Sequence, residues 1–156
     1  MLYKTHLIFS FLIALISINY FNPSNKLVFL LFLVLSSFVP DIDIQTSKIG
    51  RKLKITSFFI NKLFSHRGFF HSLLLPALIY FILVYLFGIQ EIGLAVSLGI
   101  CSHIFLDMLT KEGISLFSPF INKRINGFIT TGGLIESILF NIILFISIFF
   151  VYFKFF

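Results

Sequence analysis

Long apolar runs separated by short polar breaks make up most of the chain, and five of them are visible: about His6–Phe21, Leu27–Val39, Gly68–Phe87, Ile92–Leu109 and Leu134–Phe153. Runs of this kind predict membrane helices. Asn22-Pro23-Ser24-Asn25 and Gly88-Ile89-Gln90-Glu91 read as tight turns between them, with Glu91 a solvated turn residue. The second run is short for a full span and Pro40 stops it, so it is expected to tilt, thin the bilayer locally or continue past the proline. Asp41–Ser65 is the one long polar stretch. Its middle, Ile49–Phe64, mixes apolar and basic residues at helical spacing, which predicts an amphipathic helix lying on the membrane surface. Thr110–Gly133 is a second loop. Lys4 followed by an apolar run resembles a signal peptide, but no small-x-small cleavage site follows, so the run reads as a retained span.

The pattern predicts an all-α, polytopic membrane protein: one domain over residues 1–156, about five transmembrane helices and one interfacial helix. Composition strengthens this reading. Mean hydropathy is +1.06, and 24 of 156 residues are Phe. A soluble domain of this size has too little interior for so much apolar surface, so lipid is the expected solvent. The formal charge of +6 would suggest nucleic acid in a soluble protein. Here the basic residues flank apolar runs, so membrane topology and anionic headgroups explain them and no nucleic-acid partner is expected. Ten of the 12 Lys and Arg fall on one side of the predicted topology, and only Lys26 and Lys154 on the other. That bias predicts a multi-pass protein of the cytoplasmic membrane with its N-terminus cytoplasmic. A single cysteine, Cys101, excludes an intramolecular disulfide and most thiolate zinc sites, and reads as a buried, inert thiol.

This topology gathers the chemistry. His6 opens the first run, Asp41 and Asp43 follow the second, His66 and His71 open the third, and His103 and Asp107 close the fourth. Glu136 opens the fifth. All fall at the cytoplasmic face, although the rule that orders them used only Lys and Arg. Ionisable groups at a membrane boundary are costly and mark candidate sites. Imidazole with carboxylate is a ligand mixture for a divalent metal. His103-x-x-x-Asp107 places two such groups on one helical face. A hydrogen-bonded pair at a helix end is the alternative.

Asp41 and Asp43, if extended, point to opposite sides, one to ligate and one to orient a histidine or activate water. A turned segment would present both to metal, and two solvated loop acids are the plain alternative. His66 and His71 lie roughly 140° apart on a helix. They converge only if His66 precedes the helix, with Gly68 permitting the bend. Arg67 suits a phosphate or carboxylate, or anchors in headgroups. Ser72 is placed to bond a carboxylate or a backbone carbonyl. His6 reads equally as a ligand or an interfacial anchor, and Glu136 as a helix N-terminal charge, a ligand or a base.

These stretches closely resemble a known family. Pro40-Asp41-Ile42-Asp43, Gly50-Arg51-Lys52-Leu53-Lys54, His66 through Leu74 and Ser102 through Thr110, in this order, resemble the membrane-bound metal-dependent hydrolase family, which includes LexA-regulated inner-membrane proteins. His6 and Leu116–Pro119 fit as well, so the resemblance spans roughly residues 2–140. The family is grouped by remote similarity with zinc-dependent phospholipase C and the S1/P1 nucleases, helical enzymes that hold zinc through His and Asp, a His-x-x-x-Asp pair among them. The resemblance therefore implies phosphoester hydrolysis at a metal site. Two positions depart from the pattern. Ile44 stands where many members carry a His, and Phe70 where Thr is usual. The first removes a candidate ligand or proton carrier and the second a hydroxyl, which points to reduced activity or a smaller metal cluster.

The expectation is metal-assisted hydrolysis of a phosphoester, a phospholipid included, with zinc first and manganese or magnesium as alternatives. His6, Asp41, His66, His71, His103 and Asp107 are the candidate ligands. Asp43 is the candidate base or orienting group, and Arg67 the phosphate holder. The competing readings are a metal-binding membrane protein without catalysis, a transporter, or an assembly protein whose His and Asp form only a hydrogen-bond network. The middles of the runs show little polarity beyond Ser10 and Ser97, which disfavours transport.

Overall fold

The computed structural model describes residues 1–43, 68–121 and 123–155, and it is helical throughout its regular structure. Helix α1 is Tyr3–Phe21, α2 is Lys26–Ser36, α3 is Leu74–Phe81, α4 is Gln90–Met108 and α5 is Leu134–Phe155. Short 3-10 turns lie at Pro40–Asp43 and Phe69–His71, and a π-helical turn, Ile82–Leu86, extends α3.

Local chemistry sets the boundaries. Asn22 takes a left-handed conformation (φ 43°) and its N–H bonds to the Ile18 carbonyl, which closes α1. Asn25 caps α2 by accepting from the Val28 N–H at 3.1 Å. Ser24 donates its N–H and its hydroxyl to Glu91 Oε1 at 2.9 and 2.7 Å. The turn between α1 and α2 is thereby tied to the start of α4, so these ends share one face of the molecule. Glu91 is exposed, as expected of a turn residue, and also serves as this fastener.

The core has two parts. Ala14, Ile18, Phe29, Leu33 and Ala95 join α1, α2 and α4. Leu75, Ile100, Ile104 and Ile114 join α3, α4 and the loop after α4. Helix α2 lies so close to α4 that a Cβ on Gly99 would meet the Leu33 carbonyl and the Ser36 hydroxyl at 2.1 Å. Only glycine permits that approach. Helix α5 packs along α1, yet just 17% of its apolar window is buried. Phe145, Phe149 and Tyr152 face outward, as suits lipid contact.

The count of spans is corrected. Among the described residues three helices are long and apolar enough to cross a membrane, Tyr3–Phe21, Gln90–Met108 and Leu134–Lys154, where about five were expected. The second apolar run is helical over only 11 residues, roughly 16 Å at ~1.5 Å per residue. The third is split by the 3-10 turn at its start, leaving a shorter apolar helix over Leu74–Leu86. Neither reaches the ~30 Å of a hydrocarbon core. The expected amphipathic helix, Ile49–Phe64, lies outside the described residues.

Candidate metal site

Four separate elements deliver side chains to one buried point. His6 comes from the first turns of α1, Asp41 from the 3-10 turn after α2, His71 from the 3-10 turn before α3, and His103 and Asp107 from the last two turns of α4. His71 and His103 are fully buried, His6 and Asp107 nearly so, and Asp41 is part-exposed at the rim. The carboxylate of Asp107 is the hub. Its Oδ1 lies 3.3 Å from His6 Nε2, and its Oδ2 lies 3.4 Å from His103 Nε2 and 3.5 Å from His71 Nε2. Asp41 Oδ1 is 3.8 Å from His103 Nε2. The rings of His6 and His103 stack at 3.9 Å with an angle of 12°. The Met1 ammonium lies 2.7 Å from Asp107 Oδ1.

Among the described residues two ligand sets emerge, His6–His103–Asp107 and Asp41–His71–His103, each with its donor atoms within 4.8 Å of one another. The separations bear on what such a set can hold. Hydrogen bonds to a carboxylate are shorter, about 2.7–2.9 Å when charge-assisted. Two ligands of a tetrahedral zinc, each ~2.0–2.1 Å from the ion, stand roughly 3.3 Å apart. The distances from Asp107 to His6 and His103 match that edge. Among the described residues, Nδ1 of His6 and both ring nitrogens of His103 are buried and make no hydrogen bond of acceptable geometry. Buried polar atoms in that state are uncommon and call for a partner. The residues therefore fit a divalent metal of the zinc class.

The folded chain brings together five of the candidate residues: His6, Asp41, His71, His103 and Asp107. Gathering at one end of the helices, expected from topology, is found for all of them. His66, Arg67 and the Asp43 side chain lie outside the described residues, as does Ile44. Ser72 Oγ donates to the Phe69 carbonyl at 2.8 Å, the backbone alternative of the two expected for it. Cys101 is half-buried and stands apart from the ligand sets.

Glu136 opens α5 beside this site and is engaged elsewhere. Its Oε1 accepts from the Leu2 N–H and the Thr5 hydroxyl, both at 2.7 Å, and its Oε2 accepts from the Gly132 N–H at 2.7 Å. It fastens the start of α5 to the first turn of α1, one residue from His6. Sequence reasoning missed Thr5. A hydroxyl adjacent to a candidate ligand was the available signal, but only the fold shows which acid it meets.

Comparison with known proteins places the chain. The family described as YdjM inner membrane protein matches residues 1–155. The uncharacterized protein YvsG of Bacillus subtilis (strain 168) is 37% identical over 101 residues, which are 64% of this chain and 63% of YvsG. The inner membrane protein YdjM of Escherichia coli (strain K12) is 41% identical over 91 residues, 55% of this chain and 46% of that protein. The protein of the same name from Shigella flexneri matches to the same extent. The chain thus spans about half to just under two thirds of the length of these curated relatives. No solved structure matches it. The names record a location or no function, and none states a reaction. With the match covering residues 1–155 and apolar helices long enough to span a bilayer, the chain belongs to the YdjM inner membrane protein family.

Proposed function

We propose that this protein is a membrane-bound metal-dependent hydrolase acting on a phosphoester, with its site at the cytoplasmic membrane face. One observation carries the reading: buried imidazoles from three elements converge on the carboxylate of Asp107 at separations suited to sharing an ion. His6, His103 and Asp107 would hold a divalent ion, zinc first and manganese or magnesium as alternatives, with Asp41 and His71 completing the shell. A bound ion of this class lowers the pKa of water and polarises a phosphoryl oxygen. The chain's own groups do the rest. Asp107 keeps two or three imidazoles facing one point and supplies their countercharge. Asp41, part-exposed at the rim, can orient an incoming group or accept a proton. Asp43, His66 and Arg67 belong to this proposal from their sequence positions, Arg67 as the fork that grips phosphate. The headgroup layer beside the site favours a phospholipid as substrate. Transport fits less well: Ser10 and Ser97, the mid-helix hydroxyls, are spent on the Leu7 and Pro76 carbonyls.

The test is metal content of the purified protein in nanodiscs, measured beside phosphatase and phospholipase activity on the same preparation. We expect retained zinc in the parent. In His103→Ala and Asp107→Ala, affinity should drop by at least about tenfold, the lower range seen even for groups behind the ligands, with turnover lost alongside. Metal without turnover would leave a binding protein. Turnover unchanged in both variants would end the hydrolase reading.

A further inference from the structure

The loop between α4 and α5 carries its polarity inside out. It is a held structure: Ile114 and Ile125 exchange backbone hydrogen bonds at 3.0 and 2.8 Å, Lys111 N–H bonds to the Ile129 carbonyl at 3.0 Å, and Gly127 N–H to the Thr110 carbonyl at 2.9 Å. Ser115 and Ser118 are buried, together with Ile114 and Ile129. Large apolar side chains point the other way: Phe120 is 82% exposed, Phe128 68%, Ile121 55% and Phe117 54%. A water-facing loop would seat its serines outside and its phenylalanines inside. The same segment carries Lys111, Lys123 and Arg124, all exposed, against one acid, Glu112.

We infer that this loop is a membrane-immersed anchor, with Phe117, Phe120 and Phe128 in the acyl boundary and Lys123 and Arg124 in the headgroup layer of an anionic leaflet. Three observations favour lipid as the occupant. The loop joins the ends of two helices long and apolar enough to span a bilayer, which sets it at their membrane boundary. Exposed aromatics interleaved with cations match the apolar and anionic strata of that interface, where juxtamembrane basic residues are attracted to acidic lipid. The backbone is pinned from within, so the exposed rings are a fixed face rather than a collapsed tail. This inference stands apart from the metal site, although the Leu116 carbonyl accepts from Leu73 N–H two residues from His71 and so couples the loop's inner side to the site.

The chain contains no tryptophan, so Phe120→Trp creates a lone reporter, and Phe128→Trp is a second should the first not fold. Full-length protein is placed in nanodiscs of phosphatidylcholine with and without phosphatidylglycerol, a fraction of the lipid carrying brominated acyl chains. The expected result is blue-shifted emission that brominated lipid quenches and iodide does not. Quenching should be stronger with phosphatidylglycerol, and Lys123→Gln with Arg124→Gln should erase that difference. Solvated emission at both positions, quenched by iodide and untouched by brominated lipid, overturns the inference. So does shielding that grows with two copies per disc and ignores brominated lipid, which would assign the face to a second copy of the chain. Equal quenching in both lipid mixtures overturns the anionic preference.

Discussion

Asp107 shows what a single residue does here. It is a nearly buried carboxylate met by three imidazoles and by the Met1 ammonium. Replacing it by Asn keeps shape and removes charge. If the site holds a cation, Asp107→Asn should release the metal while the protein still folds, read by metal analysis beside a thermal melt in detergent. Glu136 makes the complementary point, since Glu136→Ala would strip the buried Thr5 hydroxyl of its acceptor, along with the more exposed N–H groups of Leu2 and Gly132. A buried group left unsatisfied costs about 1–3 kcal/mol, so the Thr5 hydroxyl alone is expected to lower the melting temperature. Glu136→Gln retains acceptors for Leu2 and Thr5 and should fall between the two. A melt of Glu136→Ala that coincides with the parent's would show that the clamp contributes nothing. The pairings of Asp107 and Glu136 were only partly readable from the chain. The spacing of His103 and Asp107 announced a shared helical face. Nothing in the string said that Glu136 would reach back to Thr5, more than a hundred positions away.

At the scale of elements, the crossing of α2 and α4 decides whether Asp41 reaches His103. Gly99 sits at that crossing against Leu33 and Ser36. Gly99→Ala forces the helices apart, and overpacking of this kind costs typically about 1–3 kcal/mol. Loss of stability and weakened metal binding should appear together, because α2 leads into the turn that carries Asp41. Gly88→Ala is the informative control. No atom lies within 4 Å of a Cβ there, yet φ is +69°, so its penalty comes from the backbone alone and metal binding should be unchanged. A Gly99→Ala variant with parental stability and affinity would mean the crossing is looser than described. Hydropathy marked all five apolar runs correctly as segments and misjudged two as spans. Apolarity reports that a side chain avoids water, and a helix too short to cross carries it as readily as a spanning one: Leu27, Leu35, Leu78 and Phe81 stay exposed on α2 and α3. Length separates the two: α2 ends at Ser36, ahead of the 3-10 turn at Pro40, and α3 begins only at Leu74, after the 3-10 turn that carries His71.

For the whole molecule, the proposed function depends on orientation. The proposed orientation, taken from the charge bias, would put Met1, Lys111 and the site in the cytoplasm and Lys26 outside. In a Cys101→Ser background, Lys26→Cys should react with a membrane-impermeant maleimide in intact cells. Lys111→Cys should react only in inverted vesicles. The reverse pattern would put the site on the outer face and remove cytoplasmic phosphoesters from consideration.

The string alone determined the solvent of this protein, its helical class and the end of the helices where its imidazoles and acids would collect. Those properties depend on composition, on period and on the alternating passage of apolar runs, all of which are local or additive along the chain. Tertiary structure decided the rest: which runs are long enough to cross, which oxygen of Asp107 each histidine faces, that Glu136 fastens α1 rather than joining the ligands, and that the loop after α4 turns its phenylalanines outward. Such facts are distances between residues remote in sequence. They are fixed by how closely backbones approach, as at Gly99, and no periodicity encodes that.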